Sequence, residues 1–159
     1  MERLFDLLAV ILSAPLWLPL VAVLAVLIRL KLGSPVFFRQ KRPGHREAIF
    51  ELIKFRTMTD ERGPDGALFP DAQRLTTFGK FLRASSLDEL PELWNVLRGE
   101  MSFVGPRPER PSFVSTLQAT IPYYAERHMV KPGITVSRWI DAVLEKNEAI
   151  DQDSNLRAM

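Results

Sequence analysis

The 159 residues include no cysteine and only two histidines. Without thiols there is no disulfide framework and no thiolate metal site, a composition that fits a reducing compartment. Of the histidines, His45 lies in an Arg-Pro-Gly-His turn with no partner nearby in sequence, and no role is assigned to it. Internal repeats and low-complexity tracts are also missing, which argues against a solenoid or a disordered chain. The formal net charge is only +2, although its distribution along the chain is uneven. One domain with a substantial core is the simplest organisation at this length.

Charge is missing altogether between Leu7 and Ile28. Such a run, at ~1.5 Å per helical residue, is long enough to cross a ~30 Å hydrocarbon core. It is too long for a secretory leader, and no small-x-small cleavage site follows it. Arg29 and Lys31 close the run, and Arg39, Lys41, Arg42 and Arg46 follow, so the rest of the chain is expected on the cytoplasmic side. Pro15 and Pro19 each remove a helical hydrogen bond near its middle. Two topologies remain open: a kinked spanning helix, or a helix-break-helix hairpin in one leaflet with Arg3 and Arg29 on the same face. Ser13 is placed to satisfy backbone groups that such a break frees.

Positive charge is concentrated from Arg29 to Arg62, with nine Lys/Arg against four acids, while five acids face two bases from Asp141 onward. Within the basic part, Pro35–Gln40 and Ile49–Arg56 read as paired strands around the Arg42-Pro43-Gly44-His45 turn. The second strand has no cleanly polar face, which suggests cover on both sides or contact with lipid. It carries Lys54 and Arg56, each readable as a solvated or headgroup-facing cation or as a site cation, the solvated reading fitting Arg56 better. Residues 60–71, with Gly63-Pro64-Asp65-Gly66, read as a surface loop, with a mobile lid as the alternative. A helix interrupted by Gly79 follows over Leu75–Arg83, and Arg83 complements its C-terminal dipole.

Leu87, Leu90, Leu93, Trp94 and Leu97 then recur at helical spacing. Ser86 and Glu89 have the spacing of a capping box. Asp88 and Glu89 would then occupy a first turn, which favours negative charge but also phosphate or a metal–phosphate complex. An ordinary cap and a reactive site are both compatible with these residues. Pro91 lies too deep for the first helical position and deletes a hydrogen bond, which favours a helix start built around something. Met101–Val104 reads as a strand leading into Gly105-Pro106-Arg107-Pro108, where two prolines fix the backbone that presents Arg107. A guanidinium so presented suits bidentate phosphate recognition. Glu109–Ala119 and Pro122–His128 look helical, and Lys131-Pro132-Gly133 reads as a turn.

Taken in order, these pieces resemble the monotopic phosphoglycosyl transferases, the bacterial sugar transferase family. The matching residues are Arg3-Leu4-Phe5-Asp6, Gly33–Gln40, Arg42-Pro43-Gly44, Lys54–Met58, Ser86–Pro91, Asn95-Val96-Leu97, Ser102–Pro108 and Lys131–Thr135. The resemblance implies an α+β fold. A mainly helical small domain with a short β-hairpin would span 33–135, anchored by a re-entrant membrane hairpin over 1–32, with a divergent and helix-compatible tail over 136–159. It implies transfer of a phosphosugar from a UDP-sugar to a polyprenyl phosphate, usually undecaprenyl phosphate, with release of UMP. Such a step initiates a lipid-linked glycan for exopolysaccharide or lipopolysaccharide at the bacterial inner membrane, on its cytoplasmic face.

By the same resemblance, Asp88 is the nucleophile that forms a covalent phosphosugar intermediate, and Glu89 is the carboxylate associated with Mg²⁺. A carboxylate with a reference pKa of ~3.9 is ionised at neutral pH and needs no base to attack phosphorus. Its difficulty is repulsion from the diphosphate, which Arg83, Arg107 and Lys54 are the candidates to offset. Membrane lipids are implied partners, with a homo-oligomer or downstream glycosyltransferases as further ones, and no nucleic acid. The family's Ser-Pro pair falls on Leu18-Pro19, so its serine is absent here. After Thr135 the sequence departs from the family's Gly-Trp-Ala-Gln-Val, reading Val136-Ser137-Arg138-Trp139-Ile140. That departure keeps open an alternative: an inactive truncated relative acting as a membrane-bound binding or regulatory protein. A metal-dependent phosphohydrolase with an apolar anchor is a third, more distant reading.

Overall fold

The structure, a computed structural model, describes residues 2–121 and 123–136, so the tail reading over 136–159 falls outside the described residues except at Val136. The uncharged run forms a single helical element, α1 (Glu2–Lys31), with Pro15 and Pro19 inside it. Two separate helices, as a broken hairpin would give, are not present as distinct elements. Asp6, Val10, Trp17, Leu24 and Ile28 are its buried residues, recurring at intervals of four and seven to make one stripe. Leu4, Leu8, Leu12, Leu16, Val23, Val26 and Leu30 are exposed. A helix apolar on its exposed side as well has no favourable aqueous environment there.

Both ends of α1 touch the same domain. The Arg3 guanidinium donates to the carbonyls of Val96 and Leu97, at the end of helix α4 (Glu92–Arg98), where backbone acceptors lack helical partners. Asp6 accepts from the Ser102 hydroxyl at 3.0 Å and from Phe103 N at 3.2 Å. Toward the other end, Leu24, Ile28 and Leu32 cluster with Phe55 and Leu82. Ser13 donates to the carbonyls of Ala9 (2.6 Å) and Val10 (3.2 Å), and the Trp17 indole also donates to Val10. Those are not the carbonyl that Pro15 frees, which belongs to Ile11, so the expected role of Ser13 is not the one it takes.

Strands β1 (Phe37–Pro43) and β2 (Ile49–Phe55) pair antiparallel, from Phe37 opposite Phe55 to Pro43 opposite Ile49. The first strand therefore runs three residues past the expected Gln40, and the turn begins later, in a 3-10 turn at His45–Glu47. On β2, Phe50 and Leu52 are buried while Ile49 and Glu51 are exposed, so its sidedness is clear in three dimensions. Lys54 shares the parity of Phe50 and Leu52 and so projects from the core face. Helix α4 lies against this strand. Asn95, fully buried, accepts from Ile53 N at 3.2 Å and donates to the Glu51 carbonyl at 2.8 Å.

Between them lie the short helix α2 (Asp71–Arg74) and α3 (Thr77–Ala84). Thr76 caps α3 by accepting from Gly79 N at 3.1 Å. Gly79 does not interrupt this helix. A Cβ there would sit 1.9 Å from the Thr57 carbonyl oxygen, so glycine is what lets α3 approach the chain after β2. Strand β3 (Ser102–Gly105) pairs parallel with β4 (Gly133–Val136), joined by α5 (Pro111–Thr120) and a 3-10 turn at Tyr124–Met129. The expected turn at 131–133 is thus the entry to a strand, with Ser102 N donating to the Pro132 carbonyl at 2.9 Å. The domain is α+β as expected, with a second two-stranded sheet added to the hairpin.

Candidate active site

The segment from Arg83 to Arg98 does not fold as one helix. Helix α3 ends at Ala84, Ser86 takes a left-handed conformation (φ 55°), and Leu87–Glu89 form a single 3-10 turn. Helix α4 begins only after Pro91, which stands at its N-cap position. A proline there sacrifices no hydrogen bond, because the helix it would interrupt does not exist. The capping box is also absent: the Ser86 side chain makes no cap bond, and Glu89 is engaged elsewhere. Asp88 therefore lacks the amides and dipole of a long helix, and its electrostatic surroundings come from side chains.

Those side chains converge. Lys54, Arg83, Asp88, Glu89 and Arg107 all line one cavity of about 660 Å³. They arrive from four places in the chain: β2, the end of α3, the 3-10 turn, and the loop after β3. Glu89 Oε1 receives both the Lys54 ammonium, at 2.7 Å, and Arg107 Nη2, at 2.5 Å. Arg83 is oriented by its Nε, which donates to the Thr57 hydroxyl at 3.0 Å. Arg107 is held by more than its flanking prolines. Its carbonyl accepts from Arg127 Nη2 at 2.7 Å, and the Pro108 carbonyl accepts from Arg42 Nη1 at 2.9 Å, which ties the loop to β1.

The two adjacent carboxyls differ in kind. Burial pushes Asp88 up, and the Glu89 charge adds to that, against the opposing pull of Lys54. Burial acts on Glu89 too, but there the hydrogen bond and charge of Lys54, with Arg107, outweigh it and hold the carboxyl below its ordinary range. Glu89 is the anchored anion; Asp88, without a hydrogen-bonded cation among the described residues, is the less committed one.

Two residues of this region were not singled out from sequence, or were read otherwise. Glu92 is only 3% exposed and lies 3.1 Å from the Lys54 ammonium. Burial raises its carboxyl to about 7, reinforced by Glu89 and opposed by Lys54. The sequence signal for it is weak: an acid between Pro91 and Leu93, three residues before Asn95, in an otherwise apolar stretch. Arg56, expected to be solvated, is instead buried. It donates to the carbonyls of Met58 and Ser34, both at 2.6 Å, and pairs with Asp60 at 2.8 Å, so it braces the chain around the cavity. Residues 60–70 form a largely exposed loop, and Asp60 with Asp71, the first residue of α2, lines the cavity.

Among the described residues no three His, Cys, Asp or Glu side chains are gathered as a metal cage. Both cations on Glu89 contact Oε1, and no bond to Oε2 is present among the described residues. One or two hard carboxylate oxygens beside a cation-lined cavity suit Mg²⁺, which takes most of its ligands from water and substrate phosphates. The residues present are compatible with that mode of binding.

Comparison with known proteins meets this geometry from another direction. The bacterial sugar transferase family matches residues 1–156. The uncharacterised sugar transferase EpsL of Bacillus subtilis is 49% identical over 139 residues, covering 85% of this chain and 65% of that protein. The UDP-N-acetylgalactosamine-undecaprenyl-phosphate N-acetylgalactosaminephosphotransferase of Aeromonas hydrophila is 42% identical, over 89% of this chain and 34% of its own length. The UDP-glucose:undecaprenyl-phosphate glucose-1-phosphate transferase of Caulobacter vibrioides is 44% identical, over 84% of this chain and 51% of its own length. The chain thus spans from about a third to about two thirds of these relatives. On a match that takes in nearly every residue, the chain belongs to the bacterial sugar transferase family.

Proposed function

We propose that the protein transfers a phosphosugar from a UDP-sugar to undecaprenyl phosphate, releasing UMP, through a covalent intermediate on Asp88. The observation that carries this reading is the single cavity in which an uncommitted carboxylate, Asp88, stands with Lys54, Arg83 and Arg107. The names of the relatives point to the same donor and acceptor classes.

In the first step an Asp88 carboxylate oxygen attacks the sugar-bearing phosphorus, and the bond from that phosphorus to the bridging oxygen breaks. The electron pair leaves on UMP. In the second step an oxygen of the lipid phosphate attacks the same phosphorus and displaces Asp88, which returns as the free carboxylate. Lys54, Arg83 and Arg107 hold the phosphoryl oxygens and offset the charge that would otherwise repel Asp88. Glu89 orders Lys54 and Arg107 before substrate arrives, and with the donor's phosphates it would hold Mg²⁺. Bound there, Mg²⁺ would neutralise diphosphate charge and stabilise the leaving oxygen. Dividing the reaction lets a water-soluble donor leave before the lipid acceptor enters.

Membrane attachment through α1 belongs to the same proposal, with both of its ends on the cytoplasmic face of the inner membrane. Arg3 and Ile28 would stand ~37 Å apart on a straight helix. The groups they meet are close, because α4 and β2 are joined through Asn95. A bend at Pro15 and Pro19 reconciles the two, and the exposed apolar side then enters one leaflet.

The experiment is a turnover assay in vesicles carrying undecaprenyl phosphate, with a panel of UDP-sugars and Mg²⁺. The expected result is UMP release matched by lipid-linked diphosphosugar and dependent on the lipid. Sustained release without lipid would point to a hydrolase. No release from folded protein would favour the inactive binding relative.

A further inference from the structure

Lys54 is held by two carboxylates, Glu89 and Glu92, and they differ in what substrate can reach. Glu89 lines the main cavity and shares its Oε1 between Lys54 and Arg107. An arriving diphosphate offers those cations a stronger anion, and Glu89 itself is the candidate metal ligand, so its bonds to them are resting-state contacts. Glu92 does not line the main cavity. It is almost fully buried and faces an adjoining space of about 110 Å³, which shares Lys54 and Arg107 with the main cavity. At 3% exposure, and off the lining of the main cavity, it offers little surface to a substrate group there.

We infer that Glu92 is the positioning residue of Lys54, keeping the ammonium at the reaction cavity after Glu89 has turned to the donor's diphosphate. This rests on the proposed phosphosugar transfer. A lysine side chain has a flexible four-carbon stem, and without a second contact its head would disperse among rotamers when Glu89 lets go. The backbone supports the assignment. Glu92 and Asn95 stand three residues apart on α4, hence on one helix face, and Asn95 bonds both Ile53 N and the Glu51 carbonyl. Helix α4 therefore grips β2 at its backbone through Asn95 and at its Lys54 side chain through Glu92. The effect of Glu92 falls on the placement of a charge during the reaction and not on initial capture of the donor, which Arg83 and Arg107 also serve.

The test compares Glu92→Gln, which keeps an acceptor oxygen at the same reach, with Glu92→Leu, which fills the space without one. Formation of the phosphosugar adduct would be followed in single turnover by intact-protein mass. Glu92→Leu is expected to slow the step at saturating donor by about 100-fold, the scale of a misplaced catalytic group, while the donor concentration for half-saturation barely moves. Glu92→Gln should stay within a few-fold of the parent. A folded Glu92→Leu protein as fast as the parent, or a Gln variant as slow as the Leu variant, would overturn the inference. A second readout is free of activity: the rate at which Lys54 is acylated by an amine-reactive ester in the full-length chain, with UMP and Mg²⁺ present. Loss of one charge-assisted hydrogen bond should raise that rate roughly tenfold in Glu92→Leu and leave Glu92→Gln near the parent. If the parent forms no adduct with any donor, the transferase reading fails, and the labelling rates alone decide the role of Glu92. Equal rates in all three proteins would then refute it.

Discussion

Helix α1 and the cavity at Asp88 are opposite environments that meet at one strand. Along α1, large apolar side chains such as Leu12 and Leu16 are more than three-quarters exposed. In the cavity, Asp88 and Glu89 stand beside Lys54, Arg83 and Arg107. Strand β2 touches both. Lys54 projects toward Glu89 and Glu92, and Phe55 joins the cluster of Leu24, Ile28 and Leu32 on α1. Strand β2 thus brings a cation-lined cavity next to the helix that carries the exposed apolar surface. A phosphate carried on a hydrocarbon chain needs that juxtaposition, because its head must meet cations while its tail stays out of water.

The sharpest way to break the comparison is on the charged side. Asp88→Asn should lower turnover at least about a thousandfold, measured as UMP release, because the amide removes the attacking oxygen's charge. Arg107→Ala or Lys54→Ala should each cost about 100-fold to 1,000-fold, the range for removing one preorganised charge from a site of this kind. On the apolar side, Leu12→Asp or Leu16→Asp places a charge on the exposed face. Each should release the protein from vesicles in a flotation assay, at a cost of ~2.5–3.5 kcal/mol if the residue lies at bilayer depth. Adduct formation in detergent should stay within a few-fold of the parent. Release together with loss of the detergent reaction would show that the two regions are not separable in this way.

The smallest effect concerns pH. Glu92 has its carboxyl raised by burial to about 7 in the folded protein. A carboxyl raised above its unfolded value favours folding while protonated. Its contribution is therefore full below about pH 4.3, the unfolded value for glutamate, and is lost as pH rises toward 7. Glu92→Gln should flatten that part of the stability curve, measured by thermal unfolding in detergent between pH 4.5 and 7.5. An unchanged slope would show that Glu92 is already ionised throughout.

What was legible in the sequence follows from how many residues vote on each feature. The absence of charge from Leu7 to Ile28 is a property of a whole segment, and α1 follows from it directly. The hairpin was also visible, although the first strand runs on to Pro43, which still stands in register opposite Ile49. Leu87 to Leu97 reads as one helix because its apolar spacing is helical on either side of Pro91, whereas the chain passes from a left-handed Ser86 through a 3-10 turn before α4 begins. β4 escaped because a four-residue parallel strand pairs with β3 some thirty residues away, and local signals show only Pro132-Gly133. The five candidate residues could be named from motif order. Their meeting in one cavity, the burial of Arg56 and the pairing of Glu92 with Lys54 are long-range facts that periodicity does not encode.

The most direct test of the central claim is intact-protein mass spectrometry of the detergent-purified chain, incubated with Mg²⁺ and a panel of UDP-sugars without acceptor, beside Asp88→Asn. The account predicts a mass increase of one phosphosugar on the parent with at least one donor, discharged by adding undecaprenyl phosphate and absent from the variant. A folded parent with no adduct for any donor, or an adduct that persists in Asp88→Asn, would contradict it.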